Sequence, residues 1–516
     1  MNPLPDSNPV RAQNAVGAAP VFASALSGHL DARQAAVQVA RQCRADLAAH
    51  PRGPGEGADA PACDLAILFF SSHHIDDARL IAEAIRTELA PRVLVGVSGE
   101  SVVGGETELE RQPGVSLLAA RLPGVNVRVF KTDDLPVVRP DSAGDLDLVR
   151  RVAGFGPEHR GTVLLVDPFS VPVNAVLPIL AAARDGQAGS TLLRPVRAAP
   201  RPGARRAPII GGVASASPRP GGNVLLVNDS IFRAGGVGVS FSGGNLRIDT
   251  LVSQGCKPIG KPMVVTAGKR QLITALGGRP ALEVLSELLE SLDDETKQQV
   301  RRGLFVGVAV SEYKSRFGRD DFVIRNLIGI DQSVGRPPKP EDEDSGWSPE
   351  SEAEPARGPG GAGVGAIAVA HLLKVGQTVQ FHVRDARTAG EDLAMLLDAQ
   401  RLHDRPSGLL LFTCNGRGSR LFNQASHDAA MIARAFARPA DETTGAGAPD
   451  GPAVLPASLS GVASAKGGRP LGPLVNPVPL AGFCAGGEIG PVGAEGDVYV
   501  HGQTACLAIF RAATSA

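Results

Sequence analysis

Apolar and polar residues along this chain switch between two periods, and each switch marks an element. Over residues 30–49, Val37, Ala40, Cys43 and Leu47 recur at helical spacing. Over 76–90, Leu80, Ala84, Ile81, Ile85 and Leu89 form one broad apolar stripe, with Asp76 or Asp77 placed to cap its start. Between these helices DLAILFF (64–70) is a continuous apolar run, the mark of a buried strand, and VLVGV (93–97) is a second. The first 20 or so residues are rich in Pro, Asn and Ala without periodicity, which predicts disorder, so order is expected to begin with the first helix. Residues 15–26 have a signal-like tint, but Gly and Pro interrupt it and Arg11 is the only basic residue before it.

The order strand, polar turn, helix, strand, glycine-rich exit recurs. GTVLLVDPFS (161–170) leads through VNAVLPILAAAR (173–184) to PIIGGVASAS (208–217), and LLLFTCNGRGSRLF (409–422) through HDAAMIARAFA (427–437) to VPLAGFCAGGEIGPV (478–492). The exits GVSGESVVG (96–104), GGVASAS (211–217) and GFCAGGEIG (482–490) all leave an apolar strand through Gly and small residues. With one extra residue allowed, Glu100 and Glu488 fall in corresponding places. Elsewhere the period is two: Val237, Val239 and Phe241 face one way against Gly238, Ser240 and Ser242, and Val379, Phe381 and Val383 oppose Gln380, His382 and Arg384. These read as half-buried, mostly antiparallel strands. The expected class is α/β (mixed α+β), in two domains built from related strand-helix-strand units with antiparallel strands between them.

Composition narrows the functional classes. A chain of 516 residues is long for one core, and its 43% apolar content suffices for globular folding. With 52 basic against 53 acidic residues there is no bulk field to draw nucleic acid or an anionic membrane. No apolar run approaches the roughly 20 residues that span a bilayer, so membrane insertion is not expected. The six cysteines, Cys43, Cys63, Cys256, Cys414, Cys484 and Cys506, are scattered without a C-x-x-C pair and read as reduced thiols of a cytoplasmic protein. Three stretches read as insertions: the Arg-rich loop 190–208, the acidic Pro/Gly tract 337–363, and the Gly/Pro/Ala-rich 437–473.

Candidate chemistry gathers at residues 414–422. Cys414 ends an apolar strand and has the element type of a nucleophile, with His427 or His501 as candidate bases. Free cysteines more often close strands as small apolar residues. Arg417, between two glycines of a turn, offers a planar fork suited to a carboxylate or phosphate. Glu488 stands among glycines near a strand end. Arg417 and Glu488 across one cleft would read the carboxylate and ammonium of an amino acid, or they pair with each other. His73, His74, Asp76 and Asp77 have metal-ligand element types, but their spacing fits helix capping better. Phosphate-loop, G-x-S-x-G and dinucleotide motifs are absent in their required contexts. No cofactor is implied.

The series VGVSGESVVGG, PIIGGVASAS, GGVGVSFSGG and QGCKPIGKPMVVT resembles the FIST N-terminal domain over residues 64–268. QFHVRDA, FTCNGRGSRLF, GFCAGGEIGPV and HGQTACLAIF resemble the FIST C-terminal domain within 269–516, with insertions at about 336–364 and 437–473 and residues 1–63 as a disordered start and a helix. The family takes its name from F-box and intracellular signal transduction proteins. The resemblance implies a sensory module that binds small molecules, amino acids or small carboxylates among them, and passes the signal to a separate partner protein. No F-box-like pattern occurs in the first 60 residues, so ubiquitin-ligase recruitment does not carry over. Matching motif positions are Cys414, Asn415, Arg417, Gly418 and Phe422, then Gly482, Phe483, Gly487, Glu488, Gly490 and Pro491, then His501 and Gly502. Of these, Cys414, Asn415, Arg417, Gly418, Phe422, Glu488 and His501 are the expected ligand-binding set.

Overall fold

The computed structural model describes residues 18–52, 61–139, 143–186, 206–312, 314, 316–318, 321–331, 365–437, 477–493 and 496–513. The acidic tract 337–363, most of the Arg-rich loop, the stretch 438–473 and the first 17 residues lie outside them. Residues 1–255 with 386–516 make one compact unit, and residues 256–385 a second.

The first unit holds three six-stranded sheets, each centred on one parallel pair. The pairs are Leu65–Ser71 with Val93–Gly99, His159–Val166 with Ile209–Val213, and Gly408–Cys414 with Leu480–Ala485. A parallel pair needs a crossover, and the helices Ala78–Leu89, Val173–Arg184 and His427–Phe436 supply it. Beside the first strand of each pair lies an antiparallel strand, Val115–Arg121, Gly236–Gly243 or Thr504–Arg511. Outside that lies the strand opening the repeat: Val21–Ser27, Val125–Lys131 or Arg247–Gln254. A further helix follows each opening strand along the chain: Ala32–Ala49, Ala143–Ala153 and Ala386–Gln400. The recurrence seen in the sequence is thus part of a larger repeat made three times.

One face of every sheet feeds a common core that includes Phe69, Phe241, Phe412, Phe483 and Phe510. The other face lies under helices of the same repeat. Burial on both faces explains why the paired strands read as continuous apolar runs. It also corrects the half-buried reading of Gly236–Gly243: Ser240 is buried with its hydroxyl 3.0 Å from that of Thr162, and Phe130 packs where a side chain on Gly238 would stand. Polar positions there are small and satisfied, not wet.

Each repeat gives its hairpin away. Val102–Gly104 and Thr107–Leu109 extend the third sheet beside Leu480–Ala485. Glu488–Val492 and Asp497–His501 extend the second beside Ile209–Val213, and Leu225–Val227 with Ser230–Phe232 extends the first beside Val93–Gly99. The exchange closes a cycle of three. Register also corrects one correspondence: Val102 faces Phe483 and Glu488 faces Gly212, equivalent positions of their host strands, so Glu488 matches Val102 and not Glu100. The exits differ in length, which a gapped comparison of short glycine motifs does not resolve.

Gly211 and Gly482 occupy the same place in two repeats, where an added Cβ would stand 1.8 Å from the Leu164 carbonyl oxygen and 1.9 Å from that of Leu411. Backbone cannot yield as a side chain does. Gly482→Ala is therefore expected to lower stability by about 1–3 kcal/mol, read as a drop in melting temperature. An unchanged melt would contradict this close approach.

The strand Val21–Ser27 is a second correction, since this stretch had been expected to precede the ordered region. It pairs with Val115–Arg121, a partner far along the chain that supplies hydrogen bonds no local pattern reveals. The expected cap at Ala78–Leu89 is also absent: Asp77 occupies the capping position without a side-chain bond to the helix.

The second unit is a closed antiparallel barrel. Cys256–Lys269 pairs through its first half with Thr378–Arg384 and through its second with Leu272–Leu276, and Leu304–Ala309, Phe322–Asp331 and Ala366–Val369 complete the ring. Val379, Phe381 and Val383 enter its apolar core as their alternation predicts. Gln380 and His382 are buried as well, Gln380 donating to the Gly260 carbonyl at 2.8 Å and the His382 ring lying 3.0 Å from the Gln380 carbonyl. Along the chain, this barrel interrupts the third repeat between its opening strand and first helix. Compactness therefore divides the chain elsewhere than at 268/269, because Arg247–Gln254 and Thr504–Arg511 hydrogen-bond across the insertion. No helix of the described residues is long and apolar enough to cross a membrane.

Candidate functional site

The three glycine-rich exits meet. Ser215 Oγ accepts the Glu100 N–H at 3.0 Å and donates to the Cys484 carbonyl, while the Cys484 N–H donates to Ser101 at 3.0 Å. Beside this junction the strand Gly408–Cys414 ends in the turn that carries Arg417. Gly418 has φ +57°, and a Cβ there would stand 2.6 Å from Glu110 Oε1, so the turn requires glycine.

Arg417 is not displayed to solvent. It is 2% exposed and grips Asp428 with two bonds, Nε to Oδ2 at 2.6 Å and Nη2 to Oδ1 at 2.9 Å. Asp428 also receives Thr413 Oγ1 at 2.8 Å, and His427 Nδ1 lies 3.1 Å from it. Burial opposes its charge, but the Arg417 pair outweighs burial and holds the carboxyl far below the usual carboxylate range. Phe422 contacts both groups, with its ring centre 5.3 Å from the Arg417 guanidinium and its face stacked on His427. Of the two readings offered for Arg417 and Glu488, the mutual ion pair does not form, because Arg417 pairs with Asp428.

Three further acids surround the pair. Glu108, from the hairpin lent by the first repeat, accepts the Ala429 N–H at 3.0 Å, and burial followed by the charge of Asp428 pushes its pKa up to about 8. Glu110 accepts the Ser419 N–H at 2.9 Å and the Ser419 hydroxyl. Glu488 accepts Thr504 Oγ1 at 2.7 Å and the Thr504 N–H at 3.2 Å, and burial lifts it to about 8. Arg417 Nη1, Glu108 Oε2, Glu488 Oε1 and Asn415 Oδ1 are buried without a hydrogen-bond partner among the described residues.

The Cys414 thiol is buried, and burial with the adjacent Glu488 pushes its pKa up, the reverse of what a thiolate nucleophile needs. His427 is engaged by Asp428 and Phe422, and His501 Nε2 lies 3.0 Å from the Gly490 carbonyl. All six cysteines are buried and free. His73 is exposed and His74 buried, and no group of three or more potential ligands is placed to hold a metal among the described residues.

At the surface of the cluster, Arg420 pairs with Glu100 through Nη2–Oε1 at 2.7 Å and Nη1–Oε2 at 3.3 Å, and Arg420 also donates to the Asn415 carbonyl at 3.0 Å. Glu100, Ser101, Arg111, Asn415 and Arg420 line a cleft of ≈ 10 Å³, about the room of one water. Cys414, Asn415, Arg417 and Gly418 all border it, whereas Phe422 does not, nor do Glu488 and His501, which face each other across their hairpin. Sequence reasoning passed over Asp428, Glu108, Glu110 and Arg420. Asp428 in the first turn of its helix reads in sequence as an ordinary complement to the helix dipole, which is why it gave no signal.

Comparison with known proteins agrees with the resemblance noted above. Residues 64–279 match the FIST N domain and residues 354–445 the FIST C domain. The chain is 34% identical over 404 residues to the uncharacterized protein Mb0898c of Mycobacterium bovis, covering 78% of this chain and 86% of that one. It is 33% identical over 394 residues to the uncharacterized protein Rv0628c of Mycobacterium tuberculosis, covering 76% and 86%. A solved cyanuric acid hydrolase is similar over 57% of this chain and 84% of its own at 10% identity and a TM-score of 0.21, which bears on neither fold nor activity. With two domain matches in order and relatives aligned over most of their length, the chain belongs to the FIST family, whose domains are associated with sensory signal transduction.

Proposed function

We propose that the chain is a sensory module whose ligand is a small zwitterion, an amino acid in the first instance, received at the Arg420–Glu100 pair. The observation that carries this reading is that pair itself: a carboxylate and a guanidinium from two different repeats, 25% and 42% exposed, closed over a cleft bordered by partnerless buried polar atoms. An α-amino acid carries both complementary charges on one carbon. Its carboxylate replaces Glu100 on the Arg420 fork, and its ammonium replaces Arg420 on Glu100. Opening the pair moves the first repeat's exit relative to the third repeat's turn, and a partner protein reads that change. Arg417 serves by holding the turn, not by touching the ligand. The reading calls for no chemistry on the ligand, no cofactor and no nucleic acid.

A thermal-shift screen of amino acids, amino-acid amides and small dicarboxylates tests it. A ligand at 100 times its Kd adds roughly 2.7 kcal/mol. An amino acid is expected to raise the melting temperature of the native chain but not of Arg420→Ala or Glu100→Gln, and its amide is expected to do nothing. A carboxylate whose shift disappears in Arg420→Ala and survives in Glu100→Gln would replace the zwitterion with a simple acid. A shift retained in Arg420→Ala sinks the site.

A further inference from the structure

A second cavity, which shares no lining residue with the cleft beside Arg420, lies at the carboxyl end of His159–Val166. Its walls are the turn 167–170, Pro220 and Gly221, the stretch from Phe232 to Ala234, and Lys131 with Asp133. Its volume of ≈ 520 Å³ falls in the range of small-molecule sites, where the cleft beside Arg420 does not.

These walls are fastened before anything binds. Asp167 Oδ2 accepts the N–H groups of Phe169 at 3.1 Å and Ser170 at 3.0 Å and the Ser170 hydroxyl at 2.7 Å, while Oδ1 accepts Asn223 Nδ2 at 3.0 Å. Ser170 Oγ in turn accepts the Gly235 N–H at 2.7 Å. Asp167 thus serves as a fastener of the walls. Fixed walls reduce the ordering cost of binding.

What the walls present is specific. Phe169 is 45% exposed and lines the cavity. The Lys131 ammonium lies 4.7 Å from the Phe232 ring centre and makes no ion pair among the described residues. Arg233 bridges to the Gly221 carbonyl at 3.2 Å, and its carboxylate contact is the fully exposed Asp76 at 3.9 Å. Two aromatic rings and two cations, Lys131 without an ion pair among the described residues and Arg233 whose ion pair is with the fully exposed Asp76, therefore line one cavity together with Asp133 and Asp167.

We infer that this cavity is a second ligand site, for a small aromatic carboxylate whose ring lies against Phe169 and Phe232 and whose carboxylate is held by Lys131 and Arg233. The ring supplies apolar burial, and the carboxylate gives Lys131 a counter-charge and replaces the long, solvent-exposed Asp76 contact of Arg233. Asp133 repels a second negative charge and so favours monoacids over diacids.

Isothermal titration of the full chain with benzoate and phenylacetate, against benzamide, acetate and phthalate, tests this assignment. Benzoate or phenylacetate is expected to bind, with benzamide, acetate and phthalate weaker by about tenfold or more. Lys131→Met and Phe169→Ala, both at partly exposed positions, are expected to weaken the aromatic acid to a similar degree, and Arg420→Ala to leave it unchanged. No heat from either aromatic acid at millimolar concentration overturns the site. So does equal binding of benzamide, or affinity that survives both Lys131→Met and Phe169→Ala. Because the amino-acid reading depends on Arg420 and Glu100 and this one does not, either can fail without the other.

Discussion

Arg417→Ala is expected to cost about 3–5 kcal/mol, the largest single effect at the cluster, because it strips a fully buried carboxylate of its counter-charge. Asp428 would keep only Thr413 and His427 in a site where burial already opposes its ionisation. Asp428→Asn should be comparably damaging, since it leaves the guanidinium buried and unpaired. The double variant Arg417→Met with Asp428→Leu separates two meanings of such a loss. If the pair serves packing, the apolar double variant recovers most of the stability, as buried ion pairs replaced by apolar side chains of similar size often do. Urea denaturation of the four proteins reads this directly. A folded Arg417→Ala with native stability would refute the keystone role and return Arg417 to the ligand.

The second large effect is on pH dependence. Glu488 and Glu108 have folded pKa values near 8 against 4.5 unperturbed. Raised carboxyl values mean the folded state holds protons that the unfolded chain has released. Their contribution to stability is therefore complete below about pH 4.5 and declines as pH rises toward 8, at about 1.4 kcal/mol per pH unit per group. Glu488→Gln removes one of these groups while keeping an acceptor for Thr504. Its melting temperature should fall less steeply than the native protein's between pH 5 and 8, so that the variant is the more stable at pH 8. Parallel pH profiles for the two proteins would show that Glu488 is already ionised in the fold.

Much of this architecture is legible in the order of residues. The three strand-helix-strand units, their apolar strands and their exits follow from periodicity and glycine placement, and the exits do converge. The opening strands were harder, because Val21–Ser27 pairs with residues some hundred positions away and carries no strong alternation. The hairpin exchange is invisible to any local pattern: nothing near Val102 states that its neighbour will be Phe483. The same distance hid Glu108 and Glu110, which reach the Arg417 turn only through that exchange. Arg417 was singled out as an arginine displayed on a glycine-framed turn, but its guanidinium is buried against Asp428, in the first turn of the helix His427–Phe436.

The lending of hairpins makes the order of synthesis matter. When the first repeat leaves the ribosome, its sheet lacks Leu225–Val227, and its own hairpin has no strand to join until Leu480–Ala485 is made. At about 5–20 residues per second, that wait lasts on the order of tens of seconds. During it the nascent chain carries unsatisfied strand edges, which invite pairing with other chains. The protein thus depends on late-made segments to quiet ones made hundreds of residues earlier, and damage around Leu480–Ala485 leaves its mark on the first repeat.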